Sequence, residues 1–147
     1  TLVLDEGRIA SARHGDLAGA DAVHQLLERP FAGSFAFSHR SGATPSSAAE
    51  GERLDVVPTL REGMRRHDEL RRASLLVPDD ASLEATGRPP TPVPGESDVD
   101  FVTALWEKSS AGATPLSAEE SLRVDSYRVR RAVVHWLEEG VLRLGRA

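Results

Sequence analysis

The chain has 147 residues, of which 39% are apolar, and this is enough to form one domain or two small ones. Its formal net charge of −5 argues against a general affinity for nucleic acid or an anionic membrane, because both attract basic surfaces. The absence of cysteine excludes disulfides and cysteine-ligated zinc. Without a signal-peptide pattern or an apolar run of about 20 residues, the sequence predicts a cytoplasmic protein with no membrane insertion.

The first predicted elements are a β-hairpin and a helix. Strand-forming residues at 2–4 and 9–12 flank the turn Asp5-Glu6-Gly7, whose glycine suits a tight turn with positive φ. From about residue 18 to residue 29, apolar side chains recur with helical spacing on one face. Pro30 then ends this helix, because proline lacks the backbone N–H that a helix interior needs.

A strand, a loop and a long helix are predicted next. Phe35 and Phe37 alternate along residues 34–38 with the period of a half-buried strand. Residues 41–52 are mostly Ser, Gly, Ala and Pro without periodicity, which indicates a loop. Pro58 begins a helix to about residue 76, since proline is tolerated in a first turn. The residues on its predicted apolar stripe are Leu60, Met64, His67, Leu70, Ser74 and Leu75.

The helical pattern stops between residues 77 and 97. Four of the nine prolines lie between Pro89 and Pro94, which favours extended backbone and excludes a helix. We therefore predict an unstructured linker at 77–97 that separates a first unit, residues 1–76, from a second unit, residues 98–147.

The second unit reads as three helices and a strand. A helix begins near Val99 and ends before Gly112. Ser117 with Glu120 three residues later is a capping-box pattern for a second helix, and Ser126 is expected to cap a third helix that Gly140 ends. A strand follows at 141–144. This order is typical of a winged helix, so the predicted fold class is α+β, with a small antiparallel sheet and a winged-helix-like C-terminal unit.

No pattern indicates catalysis, a cofactor or a metal. His135 with Glu139 and His24 with Glu28 are four residues apart, which is the spacing of ordinary pairs on a helix surface. The adjacent glutamates 119–120 and 138–139 point about 100° apart on a helix, so neither pair converges on one bond. There is no Gly-x-Ser-x-Gly elbow, Walker loop or dinucleotide motif. We therefore expect a protein that is not an enzyme.

The third predicted helix carries the candidate site. Its buried face is predicted to contain Val129, Ala132, Val133, Trp136 and Leu137. The face opposite is predicted to be an exposed partner-binding surface formed by Tyr127, Arg128, Arg131, Val134 and His135, with Arg130 on its flank. An aromatic residue bordered by arginines is typical of protein interfaces.

Two other interpretations of this face remain open. As a recognition helix it would use its arginines on DNA, but residues 96–147 contain nine acids and seven bases, which disfavours binding to phosphates. Alternatively, the linker or the first unit covers the stripe within the same chain.

The motifs of the first unit, in order, carry a family resemblance. They are Asp5-Glu6-Gly7-Arg8-Ile9-Ala10-Ser11-Ala12, Gly19-x-x-Ala22, Leu26-Leu27 and Gly33-x-Phe35-x-Phe37. Together they resemble the PATAN domain. The helix with Arg65-Arg66-His67-Asp68-Glu69 resembles the one that ends that domain, although His67 stands where an aliphatic residue is expected. Asp125-Ser126-Tyr127-x-Val129 and Leu137-Glu138-Glu139-Gly140-Val141-Leu142 are similar to the segment that often follows it.

The resemblance implies a non-enzymatic module of bacterial signalling or cell-polarity systems. The partner it implies is another protein, such as a response regulator, a kinase or a small Ras-like GTPase system. The family's N-terminal helix and first strand precede the point where this chain begins, so residues 1–4 are expected to form an edge strand without its neighbour. Either the protein was cut there or another chain, including a second copy in a homo-oligomer, completes the sheet.

Overall fold

The computed structural model describes residues 1–29, Ala36 and residues 53–145. In these ranges, helices and short antiparallel strands form an α+β protein, which confirms the predicted fold class. The chain divides into two compact units, unit 1 from Thr1 to Arg65 and unit 2 from Arg66 to Ala147. Over the described ranges, no helix is both long and apolar enough to cross a membrane. Pro30, the predicted strand at 34–38 apart from Ala36, and the predicted loop at 41–52 lie outside them.

Unit 1 begins with the predicted hairpin. Strand β1 (Leu2–Asp5) pairs antiparallel with β2 (Arg8–His14), and Asp5 lies opposite Arg8. The two residues between the strands, Glu6 and Gly7, have φ values of 47° and 75°. Two successive positive φ angles define the type I′ turn that matches the twist of paired strands. Among the described strands, β1 has a neighbour on one side only, so it is an edge strand.

Two further short strands and two helices follow the hairpin in the described part of unit 1. Strand β3 (Leu17–Ala18) and helix α1 (Gly19–Glu28) follow β2, and β4 (Leu54–Asp55) adds to β2 antiparallel. Helix α2 spans Val56–Leu76 and crosses the boundary between the units. Its N-terminal part lies close to α1, since a Cβ added at Gly63 would be 2.3 Å from Leu27 Cδ1. The buried core of unit 1 contains Ile9, Ala12, Ala22 and Val23.

The apolar stripe predicted for α2 is not the face that the helix buries. Leu60, Met64 and Leu75 are 40%, 67% and 86% exposed, while Leu70 alone among the predicted leucines and methionine is buried. The helix instead buries a face that includes Thr59, whose hydroxyl donates to the carbonyl of Asp55 at 2.8 Å. The small side chains on that face allow the neighbouring segment to approach the helix closely. The prediction used apolar periodicity, which does not take side-chain size into account.

Unit 2 contains β5 (Leu83–Ala85), α3 (Val99–Ser110), α4 (Pro115–Leu122), α5 (Ser126–Glu138) and β6 (Leu142–Leu144), and β5 pairs antiparallel with β6. The predicted caps are each displaced. Thr114 caps α4, with Ser117 as its reciprocal partner. Asp125 caps α5 by accepting from the Arg128 N–H at 2.9 Å. The winged-helix assignment stays a prediction.

The predicted linker at 77–97 is wrong in two respects. Residues 83–85 form β5, and the whole segment belongs to unit 2 instead of separating the units. Val77, Leu83 and Val93 are buried in the main core. Residues 89–94 lie outside helices and strands, as their prolines predict. The segment is nevertheless held in place by two contacts. Val93, which lies between Pro92 and Pro94, is buried in the core, and Arg88 Nη1 donates to the Glu139 carbonyl at 2.7 Å.

The core of unit 2 is formed around α5. Trp136 is fully buried, its Nε1 donates to the Thr91 carbonyl at 2.9 Å, and its ring meets the edge of Trp106 at a centroid distance of 5.5 Å. The buried apolar residues of this core are Val77, Leu83, Val93, Phe101, Leu105, Ala118, Val129, Ala132, Val133, Trp136, Val141 and Leu142.

Candidate functional site

The predicted exposed stripe of α5 is covered at its first residue. Tyr127 is only 5% exposed, and its hydroxyl donates to Glu69 Oε2 at 2.7 Å. The guanidinium groups of Arg66 and Arg131 lie 5.1 and 5.6 Å from the centre of the Tyr127 ring. The prediction of an exposed aromatic anchor is therefore wrong. The covering residues come from the C-terminal part of α2 inside unit 2, which sequence analysis had assigned to the first unit.

The flanking arginines of α5 are engaged in ion pairs. Arg128 pairs with Glu96 at 3.0 Å and with Asp98 at 3.3 Å, and it stacks over the Phe101 ring at 4.2 Å. Arg131 also approaches Glu96, at 3.7 Å. Both cations therefore meet carboxylates supplied by the segment that precedes α3.

The pKa values in this cluster follow from the pairing. Burial alone would raise the pKa of Glu96, but the hydrogen bonds from Arg128 and the Asp98 N–H and the charges of Arg128 and Arg131 outweigh burial, so the pKa is lowered. Burial alone would lower the pKa of Arg128, and its bonds to Glu96 and Asp98 reverse this and raise it. The carboxylate and guanidinium forms thus stabilise each other.

Arg130 lies in the interior, contrary to its predicted place on the flank of the exposed face. It is fully buried, and its Nη1 donates to the Val77 carbonyl at 3.3 Å. Its Nη2 forms ion pairs with Asp79 and, at 3.4 Å, with Glu119 Oε1. Glu119 Oε2 in turn accepts from the Ser126 hydroxyl at 2.7 Å. A buried guanidinium needs such compensation, so Arg130 has a structural role.

A groove of about 320 Å³ lies in unit 2 between the C-terminal part of α2 and α5. We call it the α2–α5 groove. Four of the five predicted partner-binding residues line it, and Arg128 does not. The lining residues are Glu69, Leu70, Arg72, Ala73, Leu76, Pro94, Tyr127, Arg130, Arg131, Val134, His135 and Glu138.

The groove has apolar walls and a charged rim. Leu70, Ala73, Leu76 and Val134 supply aliphatic surface, with the ring of Tyr127 between the helices. His135 Nε2 lies 3.1 Å from the Thr91 hydroxyl, so this imidazole is anchored to the proline-rich segment.

The α2 side of the groove was not predicted from the sequence. The missed residues include Ala73, which follows Leu70 by three positions and precedes Val77 by four. Leu70, Ala73 and Val77 thus have the spacing of one helical face, and this pattern could have indicated the covered side of α2.

Two polar side chains of the groove have partners of their own. The Glu69 carboxylate accepts from the Tyr127 hydroxyl, and His135 Nε2 lies close to the Thr91 hydroxyl. Over the described ranges, no group of three or more His, Asp or Glu side chains is arranged to hold a metal ion. What the groove offers is apolar surface that an occupant can remove from water, with charges at the rim to orient it.

No family model, curated protein or solved structure matches this chain.

Proposed function

We propose that this chain is a non-catalytic protein-interaction module and that the α2–α5 groove is its docking surface. The observation that supports this most directly is the composition of the groove, which combines apolar walls with Arg72, Arg131 and Glu138 at its rim. Interfaces are typically apolar at the centre and polar at the rim. Grooves between two helices commonly accept an apolar helix face from a partner.

The biological setting comes from the resemblance to the PATAN domain. It supports a cytoplasmic role in bacterial signalling or cell polarity, with a response regulator, a kinase or a small Ras-like GTPase system as the class of partner. The residues of unit 1 that carry the resemblance include the Glu6-Gly7 turn, where Gly7 has a positive φ of 75° that glycine adopts readily.

DNA binding through α5 is the second candidate function. A connection of three residues joins α4 to α5, as in a helix-turn-helix. This arrangement favours DNA binding, since a helix-turn-helix presents its second helix to the major groove. The ion pairs argue against it, because Arg128 and Arg131 would have to leave Glu96 before contacting phosphates or bases. In residues 66–147, acidic residues outnumber basic ones by 14 to 11.

The DNA alternative is tested by titrating duplex DNA at low salt and repeating the titration as salt rises. Counterion release makes true phosphate binding fall steeply with salt. We expect no saturable binding. Saturable binding with a steep salt dependence, lost in Arg128→Ala with Arg131→Ala, would favour the DNA function.

Protein docking is tested by placing a photo-crosslinking amino acid at an exposed position of the groove rim. Pro94 is suitable, because it is exposed, lines the groove and carries no charge. The matched control is Glu107, an exposed residue on α3 that does not line the groove. In cells of the source organism, we expect a discrete protein adduct from position 94 and none from position 107. Absence of an adduct from position 94 would contradict the proposed function.

A further inference from the structure

Two leucines at the C-terminal end of α2 are largely exposed to solvent. Leu75 is 86% exposed and Leu76 is 60% exposed, and Leu76 is itself part of the groove lining. Large aliphatic side chains next to an apolar groove mark an interaction surface more strongly than scattered exposed leucines do. Unit 2 therefore has two exposed leucines, Leu75 and Leu76, beside the apolar α2–α5 groove.

Two rim charges of the groove have no ion-pair partner among residues 1–29 and 53–145. Arg72 lies on α2 and Glu138 on α5, so opposite charges stand on the two walls. The other charged rim residues are already engaged, Glu69 with Tyr127 and Arg131 with Glu96. An occupant that satisfies this rim needs one acidic and one basic group.

A second copy of the chain meets all of these requirements. A two-fold axis makes residue i of one copy contact residue j of the other and j contact i. It would bring Leu75 and Leu76 of each copy to the groove of the other, and Arg72 of each copy towards Glu138 of the other. Arg72, Leu76 and Glu138 all line the groove, and Leu75 is exposed beside it on α2, three positions after Arg72.

We propose that the occupant of the α2–α5 groove is a second copy of this chain, docked with two-fold symmetry through Leu75 and Leu76. This rests on the proposed function, in which the groove docks a protein. The contact closes at a dimer, because a two-fold interface uses the same patch on both copies. The apolar leucines provide the association free energy, and the two Arg72–Glu138 pairs set the orientation.

The first test is sedimentation velocity of the complete chain over a wide range of concentration. We expect the sedimentation coefficient to rise to that of a dimer, and Leu75→Glu to remain monomeric at every concentration. The matched control is Leu116→Glu, at a 38% exposed leucine of α4 outside the groove, which should still dimerise. Circular dichroism checks that each variant keeps its helices. A wild-type chain that stays monomeric throughout overturns the proposal.

A charge exchange tests the orientation. Arg72→Glu and Glu138→Arg should each weaken the dimer by roughly tenfold, since each substitution turns two symmetric attractions into repulsions. The double variant should regain most of the lost affinity, because it restores opposite charges across the interface. Additive weakening in the double variant would overturn the proposed pairing.

The photo-crosslinker at position 94, which leaves Arg72 and Glu138 in place, separates failure of this inference from failure of the proposed function. An adduct with twice the mass of the chain supports the symmetric dimer. An adduct with a different protein, together with a monomeric purified chain, overturns the dimer and leaves groove docking standing. No adduct, with a monomeric chain, overturns both.

Discussion

The two units bury their apolar residues to very different extents. Among the described residues, the core of unit 1 contains four buried side chains, two of them alanines, whereas that of unit 2 contains twelve and includes Trp136 and Phe101. All three aliphatic residues of β1 are between 45% and 57% exposed. Since stability scales with apolar area removed from water, we infer that the described part of unit 2 resists unfolding more than the described part of unit 1. Within these residues, similar helical and strand patterns in sequence correspond to buried cores of unequal size.

The largest expected effect is in the core of unit 2. Trp136→Ala should lower the free energy of unfolding by roughly 3 to 5 kcal/mol, because it leaves a cavity and an unpaired Thr91 carbonyl. Urea denaturation followed by Trp106 fluorescence measures this, since both tryptophans lie in unit 2. The control is Leu116→Ala on the surface of α4. A loss below about 1 kcal/mol would show that the core is less tightly packed than the burial indicates.

The buried ion pairs of Arg130 give the next effect. Arg130→Met should destabilise unit 2 by about 3 kcal/mol, because Glu119 is left as a buried charge without its cation. Arg143→Met is the matched control, since Arg143 pairs with Glu84 at 2.8 Å on the surface, and its loss should cost less than about 1 kcal/mol. Equal losses in the two variants, measured by urea denaturation, would contradict a structural role for the buried guanidinium.

Unit 1 should respond more weakly to a comparable truncation. Ile9→Ala removes the largest aliphatic side chain among the described buried core residues of unit 1 and should cost about 2 kcal/mol. Leu4→Ala, on the neighbouring strand at 57% exposure, is the control and should change stability by less than about 0.5 kcal/mol. Hydrogen exchange of the β2 amides measures both. If Leu4→Ala costs as much as Ile9→Ala, β1 is covered in solution.

The smallest expected effect depends on pH. The lowered pKa of Glu96 means that its ionised form favours the folded state above the ordinary value of 4.5, and that this contribution disappears as pH falls through the lowered pKa. Glu96→Gln should therefore lose about 0.5 kcal/mol near pH 7, since the pair with Arg128 is only partly buried and solvent screens it in part. This difference from wild type should vanish in acid. Glu120→Gln, at an exposed position of α4, is the control in thermal unfolding at each pH. A difference that persists unchanged in acid would contradict the assignment to the ionised carboxylate.

Local sequence patterns were sufficient for most elements of secondary structure. The Glu6-Gly7 turn, the helical periodicity of α1 and the prolines at 89–94 act through neighbouring backbone, so their conformations follow from short-range sterics. Helix caps were displaced by one to three residues, because Thr114, Ser117, Asp125 and Ser126 all have side chains that can cap and only the tertiary packing selects among them. Strand β5 was missed, because this three-residue strand pairs with β6, almost sixty positions further along the chain.

The candidate site was also predicted only in part from local sequence. The sequence by itself placed Tyr127, Arg131, Val134 and His135 on one face of α5, since helical geometry alone decides which side chains share a face. Only the tertiary structure decided that this face forms one wall of a groove, that Glu69 covers Tyr127 and that Arg130 points into the interior between Asp79 and Glu119. These contacts join segments that are far apart in the chain, where Arg130 and Asp79 are separated by 51 positions. Helical periodicity shows which residues share a face, but burial depends on the segment that packs against that face, and long-range packing selects that segment.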